Sequence, residues 1–316
     1  MKRRSFLKNV ALGATATCSA TMFASQNSFG RIQKGNQQEV KISLAQWSLH
    51  RQFSGGHLDP KDFARISMNT YGIDAIEYVN GFYMKSGKDE KFWTDMRKRA
   101  EDVGVKSLLL MVDDEGDLGH INDKERKRTV ENHFKWVHAA KILGCHSIRV
   151  NAFGEGTKEA VRAALIDSMG QLSDYASREN MNVLIENHGL FSSNGKLIID
   201  IVKQVNKRNF GTLPDFGNWC LSAKWGSTQI ECEKAYDRYL GVSEFLPYAK
   251  SVSAKSYDFD TDGNETRIDY YKMLKIVRES GYNGYIGIEY EGERLNEHEG
   301  ILATKALIKN AWKQVK

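Results

Sequence analysis

The stretch NVLIENHG, residues 182–189, holds the pattern that decides the fold. Three apolar residues are followed at once by an acid, an amide and an imidazole. A short apolar run is typical of a strand buried on both faces, as in a parallel sheet. Polar residues directly after such a run indicate the end of the strand. Short apolar runs of this kind recur along the chain, so a repeated strand–helix unit describes most of the sequence.

Eight apolar runs alternate with longer amphipathic segments. The predicted strands cover residues 42–47, 75–79, 107–112, 147–151, 182–186, 211–215, 251–255 and 285–289. Helical periodicity is clearest at residues 123–143, 157–178, 269–280 and 297–314. Eight strand–helix pairs favour an α/β fold with a single (β/α)₈ TIM barrel over an open, doubly wound sheet. No GxGxxG motif follows a predicted strand, which argues against a dinucleotide-binding domain.

The N-terminus resembles an export signal. It opens with MKRRSFLK, which contains a twin-arginine pair, and continues with a weakly apolar run to residue 24. Thr and Ser interrupt this run, and it is shorter than the roughly 20 residues that a membrane span needs. We therefore expect a cleaved leader and, for a bacterial chain, a periplasmic protein. The predicted division is a twin-arginine-type signal peptide at 1–30, a polar linker at 31–38 and a barrel catalytic domain at 39–316.

Charge and cysteine content exclude other classes. The whole chain carries a formal net charge of +5, and the predicted leader holds four of its cations and no acid. The mature chain is therefore nearly neutral, which predicts no nucleic-acid partner and no stable membrane insertion. Cys145, Cys220 and Cys232 would remain, an odd number without CxxC spacing. This pattern predicts neither a disulfide framework nor a cysteine zinc site.

Acids stand at the ends of three predicted strands: Glu186, Asp215 and Glu289. An acid directly after an apolar strand is costly to bury unless it is paired, hydrogen-bonded or bound to a metal. Because strand ends meet at the mouth of a barrel, these three carboxylates are expected to converge on one divalent cation. Taken singly, each is also compatible with a solvated loop position or a helix N-cap.

Four motifs resemble a known family: IENHG at 185–189, PDFGN at 214–218, SAK at 253–255 and GYNGYIGIEYEG at 281–292. With them, most of the chain after residue 40 is similar to the xylose-isomerase-like TIM barrels of the sugar phosphate isomerase/epimerase family. That resemblance implies one divalent ion (Mn, Mg, Co or Zn) held by Glu186, Asp215 and Glu289. The family's fourth ligand is a histidine on strand seven, where this chain has Ser253.

The missing imidazole leaves the fourth ligand open. His188 lies two residues after Glu186 and points to the same side of the strand, so it is a candidate metal ligand. It is equally a candidate for substrate binding or for orienting Glu186, and a water or substrate oxygen would also complete the shell. Lys255 alternates with Ser253, so it either stabilises a developing oxyanion or forms a salt bridge with an acid such as Glu289.

Several further residues are candidates for substrate binding. Trp47 and Trp219 offer flat faces on which a sugar ring can stack, although core packing is the commoner role of such residues. The polar candidates near strand ends are His188, Asn218, Asn151 and His50.

The resemblance implies a metal-dependent sugar isomerase or epimerase. Glu186 and Glu289 would act as base and acid on a small-molecule carbohydrate, passing through a metal-bound enediolate. The lack of a Walker loop or of a basic cluster at a strand end favours an unphosphorylated sugar or keto-sugar. A lyase or dehydratase using the same first step, and a non-catalytic exported carbohydrate-binding barrel, are the alternatives. Near-neutral charge and only eight histidines argue against a nuclease of the endonuclease IV type.

Overall fold

The computed structural model describes residues 39–229 and 232–315, so the predicted leader and linker lie outside the described residues. Eight parallel strands form one sheet, in the order β6-β5-β4-β3-β2-β1-β8-β7. They are β1 Lys41–Ala45, β2 Ala75–Val79, β3 Lys106–Val112, β4 Ser147–Val150, β5 Asn182–Glu186, β6 Phe210–Leu213, β7 Val252–Ser256 and β8 Tyr285–Tyr290.

The two end strands of this sheet meet and curl it into a barrel. Parallel bridges pair Thr212 with Ala249 and Asp215 with Ser253. The amide of Ser253 donates to the carbonyl of Pro214 at 3.0 Å, and the amide of Phe216 donates to the carbonyl of Ser253 at 3.0 Å. These contacts join the end of β6 to β7, which confirms the predicted single (β/α)₈ barrel.

Helices connect the strands on the outside of the barrel. They are α1 His50–Ser54, α2 Phe63–Tyr71, α3 Glu90–Glu101, α4 Asp123–Leu143, α5 Lys158–Arg178, α6 Gly195–Val205, α7 Arg238–Phe245, α8 Tyr270–Glu279 and α9 Glu297–Gln314. The predicted bounds of β2, β5, α4 and α9 are confirmed. The other predicted elements differ from the observed ones by one or two residues at one or both ends. Among the described residues, no helix combines the length and apolarity needed to cross a membrane.

The cores lie on the two sides of the strands. Alternate residues such as Leu44, Ile148 and Ile288 pack outward against the helices in one large cluster. The intervening positions include Leu184 and Leu213, which belong to a second, smaller cluster with residues of β1, β2 and β3. Because side chains alternate along a strand, this second set faces the barrel interior. The alternation decides which residues reach the barrel mouth.

Candidate active site at the barrel mouth

Alternation along the strands brings the three predicted acids together. Glu186 lies two residues after the inward Leu184, and Asp215 lies two residues after the inward Leu213. Glu289 follows the outward Ile288 in β8, so it too faces inward. All three are 4% exposed or less. One oxygen from each lies within 4.8 Å of the others. We call Glu186, Asp215 and Glu289 the acid triad.

Ser253 links two members of the acid triad. Its Oγ lies 2.6 Å from Oδ2 of Asp215 and 2.7 Å from Oε2 of Glu289. Since a hydroxyl carries a single proton, it donates to one carboxylate, and the second contact needs a proton on the other carboxyl group. A serine therefore lies where the family resemblance places a histidine, and it contributes an oxygen rather than a nitrogen to this cluster.

Backbone amides fix the other side of Asp215. Its Oδ1 accepts from the amide of Gly217 at 2.8 Å and from the amide of Asn218 at 2.7 Å. A turn directly after β6 supplies both donors, so the PDFGN motif orients the carboxylate through its own backbone. These bonds hold Oδ1 and leave Oδ2 directed toward Ser253.

Two buried cations balance the acids. Nε of Arg149 lies 2.7 Å from Oε2 of Glu186, and NH1 of Arg149 lies 2.6 Å from Oδ1 of Asp113. Nζ of Lys255 lies 3.2 Å from Oε1 of Glu289 and 3.1 Å from Oε1 of Glu291. Both cations are almost completely buried. The salt bridge considered for Lys255 is therefore present, and its ammonium group also stays within reach of the triad.

The acid triad holds more negative charge than these cations neutralise. Burial raises the pKa of Asp215 to about 7, assisted by the neighbouring charge of Glu289 and opposed by Lys255. Burial also raises the pKa of Glu186 well above its ordinary value, even though Arg149 opposes the shift. A proton or another cation is therefore needed to stabilise the cluster.

The donor set fits a hard divalent cation. Three carboxylates and one hydroxyl offer only oxygen atoms, which is the ligand chemistry of Mg²⁺, Mn²⁺ and Ca²⁺. Ionised carboxylates that repel one another when buried would be stabilised by two positive charges placed among them. Glu186, Asp215 and Glu289 would hold the ion, with Ser253 as the neighbouring oxygen.

His188 lies beside the triad rather than in it. Its Nδ1 donates to Oδ1 of Asn151 at 2.7 Å and lies 3.8 Å from Oε2 of Glu186. Asn151 in turn donates to Asp113 at 2.6 Å. Burial and the charge of Arg149 lower the pKa of His188 well below its ordinary value, so the ring is neutral. His188 is not among the described residues whose ligand atoms lie within 4.8 Å of one another, so its role as a metal ligand stays a prediction.

The structure corrects the substrate-stacking role predicted for Trp219. The ring is fully buried, packs against Tyr236 and Phe245, and donates through Nε1 to the carbonyl of Asp215. It lies so close to Gly241 that an added Cβ there would approach the ring within 2.2 Å. Trp219 therefore packs beneath α7 and presents no face to a sugar.

Trp47 and His50 form one small unit directly after β1. Their rings stack with centroids 4.8 Å apart, and Nε1 of Trp47 donates to Glu291 at 2.5 Å. Nδ1 of His50 lies 2.8 Å from the carbonyl of Trp47. Both side chains are partly exposed. The side-chain amide of Asn218 is buried, and neither its nitrogen nor its oxygen is hydrogen-bonded.

Sequence reasoning missed three charged residues that complete the site: Arg149, Asp113 and Glu291. A signal for Arg149 was available, because it is a charged residue between Ile148 and Val150 in an otherwise buried strand. A buried arginine requires acidic partners, which Asp113 and Glu186 supply. The pairing itself joins residues of β4 and β5 with the residue after β3, which are distant in sequence, and it has no local signature.

A disulfide joins Cys220 and Cys232, although the number and spacing of the cysteines did not indicate a disulfide framework. The chain folds back between them, with an antiparallel bridge from Cys220 to Ala235, which brings the two Cα atoms within 5.8 Å. An odd cysteine count does not exclude one pair, and buried Cys145 is the free one among the described residues. The loop between β6 and α7 is thus covalently closed on itself.

This loop packs against the residue that follows His188. Gly189 pairs with Lys224, and a Cβ at Gly189 would lie 2.3 Å from the carbonyl oxygen of Ala223. Gly189 also has a φ of 98°, which favours glycine. The contact brings Trp225 against His188, with ring centroids 4.9 Å apart.

Comparison with known proteins agrees with this architecture. Residues 67–311 match the model of a family described as the xylose isomerase-like TIM barrel. No curated protein matches the sequence significantly.

Solved structures share the fold at low identity. D-psicose 3-epimerase from Clostridium cellulolyticum H10, solved with D-tagatose, is 13% identical, with a TM-score of 0.64 over 87% of this chain and 98% of its own. The 3-keto-D-glucoside 4-epimerase of E. coli is 13% identical, with a TM-score of 0.63 over 86% and 100%. A barrel protein from Mycobacterium smegmatis in complex with magnesium is 15% identical, with a TM-score of 0.59 over 86% and 98%.

Proposed function

The chain belongs to the xylose isomerase-like TIM barrel family, and from that premise we propose that it is a metal-dependent sugar isomerase or epimerase. The observation that carries the proposal is the acid triad, in which three buried carboxylates offer oxygens within 4.8 Å of one another. Similar structures include sugar epimerases and a magnesium complex, which supports both the substrate class and the ion.

The proposed reaction moves a proton at a carbon beside a carbonyl group. A divalent ion held by the acid triad supplies Lewis acidity at the substrate oxygens. Glu186 and Glu289 extend from β5 and β8, so they approach a sugar from different parts of the barrel wall. One removes the proton and the other returns it.

Lys255 and Arg149 have separate parts in this proposal. Lys255 pairs with Glu289 and Glu291 and places its ammonium group where negative charge would develop on a substrate oxygen. Arg149 positions Glu186 through its 2.7 Å contact. Each cation already pairs with two carboxylates, which favours an unphosphorylated sugar over a phosphorylated one.

The test is exchange of the α-proton of keto-sugars in deuterated water, followed by NMR. We expect the wild-type protein to incorporate deuterium beside the carbonyl, and Glu186→Gln to lose at least a hundredfold of that rate. Glu101→Gln, which changes an exposed acid in α3, is the matched control and should keep the wild-type rate. Wild-type protein without exchange across ketohexoses and keto-glycosides would contradict the proposal. Release of a β-substituent instead of an epimer would assign the lyase alternative.

Export to the periplasm forms part of the proposal. The signal-like N-terminus lies outside the described residues, but the Cys220–Cys232 disulfide supports an oxidising compartment, where such bonds persist. Fusion of residues 1–38 to a folded reporter tests it: we expect transport that depends on the twin-arginine machinery. Retention of the reporter in the cytoplasm would contradict export.

A further inference from the structure

A cavity of about 220 Å³ lies next to Asn151, the residue that bonds to His188. Its walls include Asn151, Phe153, His133, Lys224 and Trp225. Asn151 also bonds to His188 and to Asp113, and Nδ1 of His188 lies 3.8 Å from Oε2 of Glu186 in the acid triad. We call this space the side pocket.

Aromatic rings line one wall of the side pocket. Phe153 and Trp225 meet edge to face with centroids 5.3 Å apart, and Trp225 is 39% exposed. Nζ of Lys224 lies 5.0 Å from the ring centre of Phe153 and 5.2 Å from that of Trp225. Rings held in place beside polar groups are typical of sites that bind amphipathic rings, because they contact the apolar C–H face.

The remaining walls carry both hydrogen-bond donors and acceptors. Nδ1 of His133 lies 2.7 Å from the carbonyl of Thr129, so Nε2 is the ring nitrogen left for a ligand. His133 is only 2% exposed although it lines the pocket. Asp114 and Asp117 add carboxylates, and Lys224 adds an ammonium group. Hydroxyl groups both donate and accept, so a neutral polyol satisfies this mixed set better than a simple anion or cation.

We propose that the side pocket binds the second sugar ring of a glycoside whose first ring lies at the acid triad. This inference rests on the proposed function for the position of the first ring. Asn151 and His188 link the side pocket to Glu186 through two close contacts. In the pocket a pyranose ring would present its C–H face to Trp225 and its hydroxyls to His133 and Asp117. The preferred substrate is therefore a keto-glycoside with two rings rather than a free monosaccharide.

The position of Trp225, one of the two rings in this wall, is constrained by the loop that contains it. Lys224 and Trp225 lie between the cysteines of the disulfide, and Gly189 and Gly226 approach so closely that neither position has room for a Cβ. A preformed wall loses little conformational entropy when a ring binds, which favours measurable affinity for the second ring.

Calorimetry on the purified, metal-loaded protein tests the proposal with pairs of sugars: glucose against cellobiose, maltose and trehalose, and galactose against lactose. We expect at least one disaccharide to bind ten times more tightly than its monosaccharide. Trp225→Ala should reduce this gain to less than threefold and leave the monosaccharide Kd unchanged. Leu302→Ala, which changes an exposed apolar residue in α9, should preserve the gain.

Three outcomes would overturn it: equal affinity for every pair, weakening of both members of a pair by Trp225→Ala, or binding of divalent cations in the side pocket in place of sugar. Phe153→Leu is a second variant, in case Trp225→Ala perturbs the loop, and it should also act on the disaccharide alone. The proposed function fails separately, because α-proton exchange of a monosaccharide ketose does not involve the side pocket.

Discussion

Replacing Arg149 with methionine perturbs the charge balance of the site most directly. The guanidinium group is 2% exposed and contacts Asp113 and Glu186 at 2.6 and 2.7 Å. Removing one partner of a buried ion pair leaves an uncompensated charge and costs about 3–5 kcal/mol. At roughly 2–3 °C per kcal/mol for a domain of this size, we expect Tm to fall by about 6–15 °C. Arg149 also positions Glu186 through its 2.7 Å contact, so the variant should bind Mn²⁺ more weakly at pH 7.

The matched control is Arg97→Met, which breaks an exposed pair with Glu101 at 2.7 Å in α3. Exposed pairs contribute about 0.2–1 kcal/mol, so Tm should change by no more than about 2 °C. Differential scanning calorimetry measures both variants, and titration with Mn²⁺ measures the affinity. Equal losses of stability in the two variants, or unchanged Mn²⁺ affinity in Arg149→Met, would refute the role assigned to Arg149.

Four more predictions concern the metal site and the loop. Ser253→His adds a nitrogen ligand and should shift preference from Mg²⁺ and Mn²⁺ toward Zn²⁺ and Co²⁺; an unchanged ranking in competitive titrations would contradict the all-oxygen site. Because burial raises the pKa of Asp215 to about 7, protons compete with the ion, and Mn²⁺ affinity should rise roughly tenfold per pH unit below pH 7; a flat profile would contradict it. Because this pKa is raised, the folded, metal-free protein binds more protons than the unfolded chain does. The free energy of unfolding, measured with urea, should therefore fall as pH rises from about 4 to 7. Cys232→Ser should lower the free energy of unfolding by about 2–3 kcal/mol, and dithiothreitol should then have no further effect on the variant; a large residual effect would point to another disulfide.

The fold was predictable because its signals are local. An apolar run such as Val183–Ile185 followed by Glu186 marks one strand and its end without any knowledge of the rest of the chain. Counting eight such units then decides the barrel, since the connections between parallel strands are right-handed and short. The acid triad follows from the same logic, because the strand ends of a barrel meet at one mouth.

Features that depend on long loops were not predictable. Trp219 lies four residues after Asp215, and only the folded loop shows that its ring turns beneath α7 toward Gly241. The disulfide needs the chain to reverse between Cys220 and Cys232, and the side pocket needs that same loop to meet Phe153. None of these contacts has a fixed spacing in sequence.

The measurement that bears most directly on the central claim is elemental analysis of the purified protein by plasma mass spectrometry. It is run beside Glu289→Gln, which removes one acid of the triad, and Glu291→Gln, which changes the neighbouring acid that contacts Lys255. We predict close to one equivalent of Mg or Mn in the wild type and in Glu291→Gln, and at least a tenfold lower content in Glu289→Gln. Wild-type protein that binds none of the divalent ions even after their addition, or equal content in all three proteins, would contradict a metal at the acid triad.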